Sequence, residues 1–355
     1  MEPGNTSLNK ANKKRKPGRN YGQGQENNKD SFISCSLSLI HHMLNMTIHT
    51  LIRGDDKLSC YMDEMLHSIF FLGYIYDSSK MDPKKFFKTD KIYDLVKKLF
   101  CEAFQSYTTH LPTRTPFSIL LNMMEILHST ENKIKEELLK LLKELRFPNP
   151  LHKPGSKYEE YYTLESTVIC VCYSDSDPQR YYGASLSCRK QNAKRILIDL
   201  SCLQTWHEYV SHAVMSFYPE GPGDGITFPE SVKCQAYFRD RKENVYEEKR
   251  PCLNCKQLFN LKDADPDKVF HPYGNCAETE CLSNLLKSNT CIAKKTQLNN
   301  YTAENLKKLR GETKDRLIKE LKMLGIEIVD QNILFYSPVQ RKGDEFKNKL
   351  LHLLS

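Results

Sequence analysis

No run of 18 or more apolar residues occurs anywhere in the 355-residue chain, so no segment is expected to span a bilayer. The first residues lack the apolar centre of a secretory signal. Neither GxGxxG nor the Lys-Ser/Thr ending of a P-loop appears. Residues 220–225, EGPGDG, have the glycines without the lysine and read as a surface loop rather than a phosphate cradle. Tryptophan occurs once, at Trp206. Cysteine is plentiful at 13, but the number is odd and the residues are scattered through apolar stretches such as Val168-Ile169-Cys170-Val171-Cys172. That pattern argues against a secreted disulfide framework and suits reduced thiols in the cytoplasm or nucleus.

What is present supports a folded protein. Apolar residues make up 39% of the chain, enough for a sizeable core, and the length suggests two or three domains. The formal charge is +8, and half of it falls in residues 1–30, which are rich in Asn, Lys, Gly and Gln. This stretch is expected to be a disordered basic tail. Its NKKRKPGRN cluster (12–20) suits a nuclear import receptor or phosphate, or simply a solubilising tail.

Residues 31–147 carry apolar side chains at helical spacing, as in Ile33, Leu37, Ile40, Leu44 and Ile48. NKIKEELLKLLKEL is strongly amphipathic, with Ile134, Leu138, Leu141, Leu142 and Leu145 on one side. We read a helical domain here, suited to packing or to a protein partner, and a Pro-rich linker at 148–160. Residues 161–355 read as mixed α/β. STVICVCYS and YYGASLSC form a hairpin, RILIDLS (195–201) has the look of a strand, and VKCQAYFRD (232–240) alternates like one. RKENVYEEKR (241–250) reads as a charged loop. A final hairpin is expected around Asp330-Gln331-Asn332, followed by an amphipathic helix in FKNKLLHLL. The expected class is α+β/α/β, a helical bundle followed by an α/β sandwich.

The chemistry concentrates in 251–286. Pro251-Cys252-Leu253-Asn254-Cys255 places a CxxC turn at a helix start, which delivers two thiolates to one soft dication. A third from Cys276 would leave a tetrahedral ion one position for water. Glu278 would then reach that water as a proton shuttle. Other readings compete. Cys281 or His271 would close a structural four-ligand site, Cys281 also suits a small core residue, and Asn275 with Glu278 matches a capping box. His207, His212 and Trp206 are expected on a helix and suit packing or a pocket wall. Tyr237, Phe238, Phe270 and Tyr273 lie near the motifs and could stack on a base.

NCAETECLSNL resembles the Cys-Ala-Glu helix of the cytidine deaminase superfamily, and PCLNC resembles its Pro-Cys-x-x-Cys helix. The resemblance covers 251–286 alone. It implies Zn2+ held by Cys252, Cys255 and Cys276, with Glu278 as the catalytic acid/base. It also implies a substrate bearing a cytosine or adenine base, free or within a nucleic acid. The family places the Cys-Ala-Glu helix first; here the order is reversed and no second PCxxC follows residue 278, which implies a circularly permuted deaminase-like sandwich. The alternatives are a non-catalytic interaction protein with a structural zinc and a deaminase fold without activity.

Overall fold

The structure is a computed structural model. It describes residues 21–76, 81–145, 147–148, 160–161, 164–175, 177–188, 191–218, 223–265, 271–326, 332–341 and 344–351. The basic cluster at 12–20 and nearly all of the 148–160 linker lie outside these residues.

Six helices come first: α1 (Tyr21–Ile52), α2 (Ser59–Tyr76), α3 (Asp90–Leu99), α4 (Cys101–Ser106), α5 (Pro116–Leu127) and α6 (Glu131–Glu144). Their starts are chemically marked. Thr89, Thr115 and Thr130 sit in extended backbone, and each hydroxyl accepts from an N–H of the first turn of α3, α5 or α6. Pro116 occupies the first helical position of α5, where its missing N–H costs nothing. Two short strands, β1 (Phe147–Pro148) and β2 (Glu160–Tyr161), pair with each other.

Strands β3 (Val168–Ser174) and β4 (Asp177–Ala184) then form the expected hairpin. Helices α7 (Gln191–Leu200) and α8 (Glu208–Ser216) follow, then the short β5 (Ile226–Thr227), and then β6 (Val232–Asp240) and β7 (Val245–Lys249). Beyond them lie α9 (Leu253–Phe259), α10 (Ala277–Ser288), α11 (Thr290–Lys295), β8 (Gln297–Leu298), α12 (Ala303–Met323) and α13 (Asp344–Leu351). The main sheet is antiparallel throughout, in the order β4-β3-β6-β7. The class is α+β.

Alternation along β3 sorts the two faces of this sheet. Ile169 and Val171, with Tyr182 and Ala184 opposite them on β4, join the core of the helical region. That core also takes in Leu317 and Leu321 of α12 and Tyr336, Phe346 and Leu350 near the C-terminus. Cys170 and Cys172 face the other way, into a second core shared with α8, α9 and α10. Helix α10 lies directly on β3 and β4, and Gly183 permits the contact. A Cβ at 183 would stand 2.3 Å from the Cys281 N and 2.6 Å from the Ala277 O. Burial of Leu282, Leu285 and Leu286 on this face contributes about 1.5–3 kcal/mol for each.

Three sequence expectations are corrected, and a fourth falls partly outside the described residues. The chain is helical from Tyr21 onward, so residues 21–30 are not part of a disordered tail. RILIDLS lies in α7 and the π-turn after it, because Ile196, Leu197, Ile198 and Leu200 are buried between the two cores and serve helical spacing as well as alternation. The stretch 241–250 is not a plain loop, since Val245–Lys249 is the edge strand β7. Its charges suit an edge, where one side faces water. Of the expected C-terminal hairpin, residues 327–331 lie outside the described set. Residues 332–341 run along the helical region, where Phe335 bridges to Leu111 and Tyr336 Oη donates to Asp63.

Candidate metal centre

Two short links bring the motif residues together. Strand β7 ends at Lys249, and Arg250 and Pro251 lead straight to Cys252, the N-cap of α9. Cys276 is the N-cap of α10. Both cysteines have extended backbone and neither side chain caps its helix, so the sulfurs remain available. The turn before Cys276 is set by Gly274 at φ +88°, packed on Val214, Ile198 and Trp206. Two hydrogen bonds fix the approach: the Leu186 N–H donates to the Asn275 carbonyl, and the Asn254 side-chain amide donates to the His271 carbonyl, at 3.0 and 2.8 Å. The second bond ties the interior of CxxC to the segment that delivers Cys276.

The Cys252 sulfur is 3.7 Å from that of Cys255 and 3.4 Å from that of Cys276, and all three lie within 4.8 Å of one another. A tetrahedral ion with metal–sulfur bonds of about 2.3 Å sets its sulfurs roughly 3.8 Å apart. The donor set and spacing therefore fit a soft metal ion. Among the described residues no His, Asp or Glu atom joins the three within that distance. His271 borders the same cavity without belonging to the cluster. Cys281 is buried and meets Cys170 and Cys172 instead. Neither of the two residues proposed to close the site does so.

Glu278 lies on the first turn of α10 and is buried. Because the N-cap is Cys276 and not Asn275, the capping-box alternative for Glu278 is corrected. Burial, with the Cys252 charge adding to it, pushes the Glu278 carboxyl up to about 7. Hydrogen bonds from Cys255 and Cys276 hold the Cys252 thiol far below its usual range, and the same bonds push the other two up.

Beside the cluster lies a cavity of about 350 Å³, within the range of small-molecule sites. Glu278, Cys252 and Cys276 are in its wall, with Asn275, Phe238 and His271. Asn275 Oδ1 is buried without a partner. Phe238 is 39% exposed. Lys194, Lys249 and Arg250 border the cavity, and burial lowers the Lys194 pKa.

The other aromatic candidates are engaged elsewhere. Tyr237 faces the helical region with the Lys135 ammonium 3.1 Å from its ring, Tyr273 stacks on Phe217, and Phe270 lies outside the described residues. Trp206 is core, and His207 Nδ1 accepts from the Tyr209 N–H at the start of α8. Sequence reading did not find Lys194, Asn254 or Asn275 as wall or support residues. The one usable signal was the position of Asn254 inside CxxC.

No helix among the described residues is long and apolar enough to cross a membrane. No protein-family model matches the chain, and no curated protein or solved structure matches it either.

Proposed function

We propose that this chain is a zinc-dependent hydrolytic deaminase of cytosine or adenine bases, with its ligand helices in the reverse of the order used by the cytidine deaminase superfamily. The observation that carries the reading is the convergence of Cys252, Cys255 and Cys276 beside the buried Glu278, with no fourth ligand atom among the described residues. Zinc bound by these thiolates would supply Lewis acidity to a solvent molecule.

Glu278 holds and moves the proton. A buried carboxyl, its pKa raised by desolvation, is suited both to accept and to donate a proton. It takes a proton from the attacking water and passes it to the ring nitrogen, then carries the second proton, from the new C–OH, to the departing amine as the carbonyl forms and ammonia leaves. Burial keeps that proton from bulk solvent. Phe238 is 39% exposed and a base can stack on its ring, beside or in place of the Lys249 ammonium 5.5 Å from the ring centroid. Asn275 Oδ1 lacks a donor, which an amine or hydroxyl of the substrate would supply. Lys194, Lys249 and Arg250 favour a substrate that carries phosphate, as a nucleotide or a strand.

The test is ammonia release from cytidine, adenosine, their monophosphates and single-stranded oligonucleotides, using zinc-loaded full-length chain. Release from at least one of them, lost in Cys276→Ser, is expected. A zinc-loaded chain inert towards the whole panel would overturn the proposal in favour of a non-catalytic binding protein.

A further inference from the structure

A second group of sulfurs meets on the inner face of the sheet. Cys170 and Cys172 are two apart on β3 and so point the same way, towards α10. Cys234 stands directly opposite Cys172 on β6. Cys281 comes from α10, five residues after Cys276, about 7.5 Å further along the helix at 1.5 Å per residue. The Cys234 sulfur lies 3.3 Å from Cys170 and 3.2 Å from Cys172, and those two are 3.9 Å apart. The Cys281 sulfur is within 4.8 Å of both β3 sulfurs but farther than that from Cys234, on the opposite side of the pair.

Two ordinary explanations do not account for this. As core packing, four cysteines on one spot gain nothing over alanine or valine, which bury as well without a polar hydrogen. As a disulfide, the geometry selects no pair, because Cys234 is nearly equidistant from Cys170 and Cys172. Either bond would leave two thiols behind. One shared ion would use all of them: the separations of 3.2–3.9 Å among Cys170, Cys172 and Cys234 lie near the roughly 3.8 Å edge of a tetrahedral thiolate site, and the ion would draw Cys234 and Cys281 towards each other.

We propose that Cys170, Cys172, Cys234 and Cys281 form a second, closed metal site for a thiophilic divalent ion such as zinc. It joins β3, β6 and α10 from within and has no vacancy for chemistry. Entry is through Cys234, the only one of the four that is not fully buried. Cys234 opens onto a groove of about 990 Å³ that Phe259 also lines. Loading exchanges four thiol protons for one dication, with no change of oxidation state. The Cys281 hydrogen bond to the Tyr181 carbonyl, 3.1 Å long, is given up in the process. Proton release makes the occupancy fall steeply in acid.

The experiment counts metal in full-length chain purified with zinc, alongside the charge-transfer absorption of the cobalt(II)-substituted form. Two ions per chain are expected. Cys252→Ser with Cys276→Ser should leave one, and Cys234→Ser should also leave one. Combining all three changes should leave none. Cys234 is the partly exposed member, so its variant stays interpretable where Cys172→Ser fails to fold. A wild-type count of one that Cys234→Ser does not lower would overturn the proposal, as would a Cys170–Cys234 or Cys172–Cys234 disulfide found by mass spectrometry. The count does not depend on catalysis: a chain with no deaminase activity would still bind the second ion.

Discussion

Glu125 and Glu278 are both pushed up to about 7, chiefly by burial, yet they serve different ends. Glu278 borders the cavity beside the thiol cluster, whereas Glu125 sits between α5 and the sheet, accepting a hydrogen bond from Asn122 with Glu280 nearby. For Glu125 the linkage has a definite sign. The folded state holds its proton more tightly than the unfolded chain does, so this group's contribution is favourable in acid. It declines as pH rises from the unfolded value near 4.5 to the folded value near 7. Glu125→Gln keeps the size and removes the charge. It should raise stability at pH 8 by about 2 kcal/mol and have little effect at pH 4, read from urea unfolding at the two pH values. An equal effect at both would show that burial does not penalise this carboxylate.

The clustering of the three thiols was legible at the residue scale because their spacing carries the chemistry. CxxC at a helix start and a third Cys before Ala-Glu describe the donor set without any fold. The supports were not legible. Lys194 comes from α7, where nothing in its neighbours' spacing marks it, and Asn254 acts through the carbonyl of His271, so its place inside CxxC hints at a role without showing which. Asn254→Ala should cost about 1 kcal/mol for the lost bond and weaken zinc binding on the order of tenfold. Competition with a chromophoric chelator reads the second effect, and unchanged affinity would remove Asn254 from the support of the site.

Among the elements, α10 does most to define the molecule, since it carries Cys276 and Glu278 at one end and Cys281 further along. Its seat on the sheet depends on the bare Cα of Gly183. Gly183→Ala has no room for its methyl group and should lower stability by about 1–3 kcal/mol, with zinc content falling as α10 is displaced. Urea unfolding with parallel metal analysis checks both, and a neutral substitution would mean that α10 is not held as closely as described. Elements were misread where two patterns overlap. The Ile196-Leu197-Ile198 run satisfies a buried helix as well as a strand, and only its place between two cores decides. β7 was hidden by charge, because an edge strand exposed to water needs no apolar alternation.

At the scale of the whole molecule, the C-terminal segment is tied back to the helical region through Asp63. This carboxylate accepts from the Tyr336 hydroxyl at 2.6 Å and the Val339 N–H at 2.8 Å, and it pairs with Arg341 at 3.0 Å. Asp63 is fully buried, so Asp63→Ala takes away the acceptor of Tyr336 and Val339 and one of the two carboxylate partners of Arg341, which keeps Glu102; it should cost about 3 kcal/mol. Calorimetry would read this as a lower melting temperature, and a loss under 1 kcal/mol would show that the tail is not anchored there. Periodicity could indicate that both the helical and the α/β regions exist, but not this long-range pairing.

Central to the account is the claim that a buried carboxyl moves protons beside three zinc-binding thiolates. The most direct measurement compares zinc content and ammonia release in wild-type chain and Glu278→Ala, on whichever base-containing substrate the wild type deaminates. The account predicts unchanged zinc at the Cys252, Cys255 and Cys276 site, with ammonia release lowered by at least about a hundredfold. Glu278→Ala that retains both its zinc and its ammonia release would contradict it.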